Sequence, residues 1–187
     1  MAGLVMRFRV PSTQFIRPQP TSFRRFASSQ SATPNPPIEF KTTLPAPNDF
    51  VNTNELFKNK KVLVVGVVGA FTGVCDGQIP PFAQKFAEFN AKGIDQIAIV
   101  SVNDHAVLKA FAKSLNLSEP KLVMLSDFDG SFTRSLGMEV DLSAAKLGKR
   151  SKRYAMLVDN GKITKQFVEE KVSDLKVSSA DSVLKNL

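Results

Sequence analysis

Three short apolar runs, at residues 61–68, 97–102 and 122–125, alternate with segments whose apolar residues recur at helical spacing. That order constrains the fold more than any other feature of the chain, because strands separated by helices must pair in parallel with helices covering the sheet. Phe82, Phe86 and Phe89, with Ala83, Ala87 and Ala91, predict an amphipathic helix over 79–91 that Gly93 ends. Val107, Leu108, Phe111, Ala112 and Leu115 predict a second helix, capped by Asn103 or Asp104. A short helix is expected over 131–136 and a short helical turn over 54–57. Residues 154–158 and 162–168 flank Asn160-Gly161, the dipeptide that favours a two-residue hairpin turn. A closing helix is expected to start near Ser178 or Ser179. The sum is an α/β domain: a central mixed β-sheet, parallel in its first half and antiparallel at its end, flanked by helices.

Charge separates the chain into two parts. Five of its 25 basic residues, Arg7, Arg9, Arg17, Arg24 and Arg25, fall in residues 1–37, while all 17 acids lie beyond them. The remainder is therefore close to neutral, and the net charge of +8 is no argument for nucleic-acid binding. An acid-free, arginine- and serine-rich leader interspersed with Leu4, Val5, Phe8, Phe15 and Ile16 has the composition of a mitochondrial transit peptide. Arg24-Arg25-Phe26 before Ala27-Ser28 resembles a matrix-protease cleavage site. Pro34, Pro36 and Pro37 mark a linker, and Pro45 and Pro47 keep the next stretch extended. Residues 1–37 thus read as transit peptide and linker and 38–187 as the folded domain. No apolar run is long enough to span a membrane, so no membrane partner is expected.

Cys75 is the only cysteine, which excludes an internal disulfide, and one cysteine with one histidine cannot build a four-ligand zinc site. It closes the run Gly69-Ala70-Phe71-Thr72-Gly73-Val74-Cys75, between an expected strand and an expected helix. Sulfur at a strand-to-helix junction meets backbone N–H groups and the positive end of a helix dipole, which favour thiolate. The dipole supplies about 0.3–1 kcal/mol, rising to about 2 in a partly buried site. A thiol of ordinary pKa, about 8.5, needs roughly 3–4 kcal/mol to become mostly thiolate at neutral pH. A cation must provide the rest, and the basic cluster Lys146, Lys149, Arg150, Lys152 and Arg153 offers Arg153, with Arg150 its competitor. His105 reads as a surface residue at a helix start, and Asp127-Phe128-Asp129-Gly130 as a turn.

The element order is that of the thioredoxin-like fold, and five segments carry a closer likeness. The cysteine loop, Ser101-Val102-Asn103-Asp104, Asp127-Phe128-Asp129-Gly130, Asp141-Leu142-Ser143-Ala144-Ala145 and Arg150-Ser151-Lys152-Arg153-Tyr154 together resemble the atypical (type II) peroxiredoxins, most nearly their mitochondrial members. The resemblance implies a thiol-specific peroxidase reducing hydrogen peroxide and alkyl hydroperoxides, without metal or organic cofactor. It implies that Cys75 is the peroxidatic cysteine, that the Thr72 hydroxyl hydrogen-bonds at the thiolate and the peroxide, and that Arg153 stabilises the thiolate and polarises the O–O bond. It also implies a homodimer, located in the mitochondrial matrix.

The chain departs from that pattern at named positions. Val68 stands where the family carries a proline, and the segment after Cys75 is one residue short and lacks a histidine. Asp76 beside the sulfur either caps the following helix or sets a negative charge against the thiolate. Ile99 and Val177 occupy the positions where relatives carry a resolving cysteine. A one-cysteine mechanism follows, in which an external thiol, from glutathione with glutaredoxin or from thioredoxin, reduces the sulfenic acid. The alternative is a degenerate peroxiredoxin that serves as a redox-sensing or interaction protein.

Overall fold

The structure is a computed structural model and describes residues 31–34, 37–42, 50–117 and 120–187. Most of the expected leader lies outside these residues. A seven-stranded mixed sheet organises the domain, built from β1 (Glu39–Thr42), β2 (Phe50–Asn52), β3 (Lys61–Val67), β4 (Gln96–Ser101), β5 (Leu122–Ser126), β8 (Tyr154–Asp159) and β9 (Lys162–Val168), in the order β2-β1-β5-β4-β3-β8-β9. β3, β4 and β5 pair in parallel at its centre, while β1 and β8 join it antiparallel. β6 (Glu139–Asp141) and β7 (Lys149–Ser151) form a separate two-stranded ribbon.

Both faces of the central strands are buried, which explains their continuous apolar runs. Leu63, Val65, Val67, Ile97, Ile99, Leu122, Met124, Ala155 and Leu157 point to one face. There they meet α2 (Gly73–Gln84), α3 (Phe86–Ala91), α4 (His105–Ser114) and α6 (Ala180–Asn186). Val62, Val64, Ala98, Val100, Val123, Leu125 and Met156 point to the other, covered by α1 (Thr53–Phe57), α5 (Ser131–Ser135) and Phe40. Tyr154 lies on that second face with its ring across Gly66, its partner in β3; a β-carbon on Gly66 would overlap the ring.

The expected central and C-terminal elements are all present. Asn160 and Gly161 both take positive φ, 46° and 79°, as the tight hairpin between β8 and β9 demands. Asp104 caps α4 by accepting the Val107 N–H, and Ser179 caps α6. Asp127 is the buried end of its turn: its carboxylate accepts the Phe132 and Thr133 N–H groups and the Thr133 hydroxyl, holding α5.

Three features differ from expectation. The single helix over 79–91 is two helices that meet at Lys85, and the first begins six residues earlier, at Gly73. Pro80 and Pro81 lie inside α2 rather than at its start. The carbonyls they leave without helical donors belong to Asp76 and Gly77, both exposed, where water can satisfy them. Two strands not expected from the sequence, β1 and β2, pair antiparallel at the sheet edge, and the stretch around Pro45 and Pro47, expected to be extended, lies outside the described residues. Residues 31–33, expected in the linker, lie against the hairpin turn: Ser31 bridges Lys162, and Ala32 is fully buried with its N–H donated to the Gly161 carbonyl at 2.8 Å.

Candidate active site

Cys75 sits beyond the carboxyl end of β3, in the first turn of α2, and is fully buried in the core that α2 shares with α3, α4 and α6. The loop before it is shaped by three contacts. Phe71 takes a left-handed φ of 59°, uncommon for a bulky residue, and its exposed ring rests on Phe111. The Ala70 N–H donates to Asn103 Oδ1 at 3.0 Å, which also accepts the Ser101 hydroxyl at 2.8 Å. Asn103, the other candidate cap of α4, is thus free of that duty and instead ties the end of β4 to the cysteine loop. Thr72 is the N-cap of α2 by backbone conformation, yet its side chain makes no cap hydrogen bond. Its hydroxyl lies 2.9 Å from the Gly69 carbonyl and 3.0 Å from Cys75 Sγ.

The second group at the sulfur is a cation. Arg153 stands in the short connection between β7 and β8, and its Nη1 donates to Cys75 Sγ at 3.3 Å. Only 2% of this arginine is exposed. Its Nε donates to the Val172 carbonyl at 3.0 Å, and Nη1 donates a second time, to Gln78 Oε1, at 2.5 Å. All three residues named from the sequence, Cys75, Thr72 and Arg153, therefore meet around one atom. Arg150 does not join them. Its Nε and Nη1 donate to the Leu147 and Val102 carbonyls, which fastens the ribbon to the end of β4.

The expectation of free backbone N–H groups at the sulfur is corrected in part. The Cys75 N–H already donates to the Thr72 carbonyl at 2.8 Å, so side chains supply the polar contacts described at Sγ. Asp76 does not cap α2, because the helix begins before it; its side chain is exposed in the first turn. Val68 packs into the apolar core, as does Ile99, and Val177 lies partly buried against the same cluster. Tyr154 follows Arg153 directly but faces the opposite side of the sheet, where burial pushes its phenol far above the ordinary value. It offers no proton to the sulfur.

Gln78 is the contact that sequence reasoning missed. It is 1% exposed, and its Nε2 lies 3.5 Å from both the carbonyl and the hydroxyl of Ser178. Ser178 in turn is held by Glu169: Oε1 accepts the N–H groups of Lys176, Val177 and Ser178 and the Ser178 hydroxyl. The only available signal was spacing, since a helix started at Gly73 puts Gln78 one turn after Cys75. Among the described residues, no group of three acidic, histidine or cysteine side chains could hold a metal ion.

A buried sulfur with a hydroxyl and a guanidinium aimed at it is built to carry negative charge and to react with an electrophile small enough to enter. The chain is similar to known proteins over most of its length. The Redoxin family model matches residues 30–184. Peroxiredoxin-2F, mitochondrial, of Arabidopsis thaliana is 43% identical over 132 residues, covering 70% of this chain and 65% of that protein, so the chain spans somewhat less than two thirds of it. Peroxiredoxin-2C of Oryza sativa subsp. japonica is 45% identical over 139 residues, covering 73% of this chain and 84% of that protein. The crystal structure of reduced Prx3 from Vibrio vulnificus in complex with H2O2 superposes with a TM-score of 0.74 at 37% identity, covering 87% of this chain and 99% of that one.

Proposed function

The chain belongs to the Redoxin family and, within it, to the type II peroxiredoxins, and from that premise we propose that it is a thiol peroxidase acting on hydrogen peroxide and alkyl hydroperoxides through Cys75. The observation that carries the proposal is the convergence of Thr72 Oγ1 and Arg153 Nη1 on Cys75 Sγ, at 3.0 and 3.3 Å.

The thiolate attacks the terminal peroxide oxygen. An S–O bond forms, the O–O bond breaks, and the leaving alkoxide or hydroxide takes up a proton as alcohol or water, with sulfur oxidised to sulfenic acid. Arg153, held with one N–H on Gln78 and its Nε on Val172, presents its remaining Nη1 hydrogen to the sulfur and to charge developing on oxygen. Thr72 presents one hydroxyl proton to the same region.

With a single cysteine in the chain, the second half of the cycle is intermolecular. One external thiol displaces water from the sulfenic acid to give a mixed disulfide, and a second thiol releases Cys75 and leaves as disulfide. Glutathione with glutaredoxin, or thioredoxin, supplies those thiols. We assign the protein to the mitochondrial matrix, on the strength of the arginine-rich leader and the mitochondrial plant relative, and propose that it acts as a homodimer.

The test is the rate at which hydrogen peroxide oxidises Cys75, in the wild type and in Arg153→Gln. Oxidation orders of magnitude faster than that of a free thiol, and lost in the variant, supports the proposal. Oxidation no faster than a free thiol would transfer the protein to the redox-sensing or interaction reading that Val68, in place of the family's proline, keeps in view.

A further inference from the structure

The geometry points to Asn103 as a positioning residue for Thr72, a role that rests on the peroxidase reading above. Gly69, Ala70, Phe71 and Thr72 form the turn that leads from β3 into α2, and this turn holds itself weakly. Its closing bond, from the Thr72 N–H to the Gly69 carbonyl, is 3.4 Å long. Its third residue, Phe71, takes a left-handed φ of 59°, a conformation that favours glycine. Support must come from outside the turn. The Phe71 ring finds it on Phe111, and the backbone finds it on Asn103, whose Oδ1 accepts the Ala70 N–H at 3.0 Å.

The Ala70 N–H belongs to the same planar peptide unit as the Gly69 carbonyl, so holding one directs the other. That carbonyl accepts the Thr72 N–H and lies 2.9 Å from the Thr72 hydroxyl. Its direction therefore sets where Oγ1 stands, 3.0 Å from Cys75 Sγ. Without Asn103 the peptide plane is free to rotate, and the hydroxyl is carried off the sulfur with it. Asn103 is itself firmly placed. Its Oδ1 also accepts the Ser101 hydroxyl at 2.8 Å, so both lone pairs of that oxygen face donors. Its backbone carbonyl accepts the Ser126 hydroxyl, also at 2.8 Å. The ends of β4 and β5 thus stand behind the one side chain that grips the cysteine loop, while Asp104 caps α4.

The test compares wild type, Asn103→Leu, Asn103→Asp, Thr72→Val and the double variant of Asn103→Leu with Thr72→Val. Two readouts are taken: the rate of Cys75 oxidation by hydrogen peroxide, and the ultraviolet absorbance of thiolate as pH is raised. Leucine keeps the volume and removes the acceptor. It is expected to slow oxidation roughly three- to tenfold, no more than Thr72→Val does, and to move the appearance of thiolate to higher pH. In the Thr72→Val background it should add nothing. Aspartate keeps an acceptor in place, and Arg150 Nη1 is near to meet its charge: Asn103 Oδ1 and Arg150 Nη1 both lie within 4 Å of where a β-carbon on Gly69 would stand. Asn103→Asp should therefore recover most of the rate. Unchanged rate and unchanged titration in Asn103→Leu would overturn the proposal. So would an undiminished effect in the double variant, which would show that Asn103 acts independently of Thr72, or an aspartate variant as slow as the leucine one. Should the leucine variant not fold, Asn103→Ala carries the same expectations. If the wild type itself is oxidised no faster than a free thiol, the peroxidase reading falls while the thiolate titration still judges Asn103.

Discussion

The Thr72 hydroxyl has one proton and two acceptors within reach, the Gly69 carbonyl at 2.9 Å and Cys75 Sγ at 3.0 Å. It cannot serve both at once. While the sulfur is protonated, the hydroxyl proton belongs on the Gly69 carbonyl and the thiol can donate to Oγ1. When the sulfur is negative, the proton turns to it. The gain is a hydrogen bond to a charged group, about 1.5–3 kcal/mol, and the loss a neutral one, about 0.5–1.5 kcal/mol. The difference, about 1–1.5 kcal/mol, corresponds to roughly five- to tenfold in rate. Thr72→Val keeps the shape and removes the proton, so peroxide oxidation of Cys75 should slow by that factor, far short of the loss expected for Arg153→Gln. Thr72→Ser restores the hydroxyl and should recover most of the rate. The chain contains no tryptophan, so rapid quench with an alkylating agent, read by mass, is preferable to intrinsic fluorescence. A valine variant as fast as wild type, or a serine variant as slow as valine, would refute the one-proton reasoning.

Gly66→Ala should destabilise the domain by about 1–3 kcal/mol, since its methyl group must displace the buried Tyr154 ring; urea midpoints measure it. Asp129 is held below its usual range, first by the Ser131 N–H, then by the Ser131 side chain and Arg134. Its stabilising effect is therefore present above the ordinary value of 3.8 and lost as pH falls through the lower folded value. The gap in urea midpoint between wild type and Asp129→Asn should accordingly close only below pH 3.8. A chain beginning at Pro37 should be less stable than one beginning at Ser31 by about 1–2 kcal/mol, because it lacks the buried Ala32 and its hydrogen bond to Gly161; thermal melts of the two decide it.

What was legible in the sequence was what local chemistry determines. The apolar runs of β3, β4 and β5, the Asn160-Gly161 turn and the caps at Asp104 and Ser179 each follow from a few neighbouring residues. Strands β1 and β2 were not, because three or four residues at a sheet edge carry too little periodicity to stand out near two prolines. The start of α2 was hidden because the periodic residues Phe82, Phe86 and Phe89 mark only its second half and the helix that follows, and so suggested a start six residues too late. That displacement concealed Gln78, which contacts Arg153 only because Cys75 is already helical. The choice between Arg150 and Arg153 also lay beyond local reasoning. It depends on the register of β6 and β7, which pairs Arg150 with Val140 and leaves Arg153 to enter the core.

The groups around Cys75 differ in how far along the chain they must travel. Thr72 is three residues away and Arg153 78 residues away, while Gln78 is steadied by Ser178, 100 residues beyond Gln78 itself. The sulfur acquires its cation only after β8 has docked on β3 and the segment beyond β9 has closed over the guanidinium. An extended chain, such as one threading through a translocation pore, would carry an ordinary, slow-reacting cysteine. Activation of the sulfur is then coupled to completion of folding: until the guanidinium is in place, Cys75 has the reactivity of an ordinary thiol.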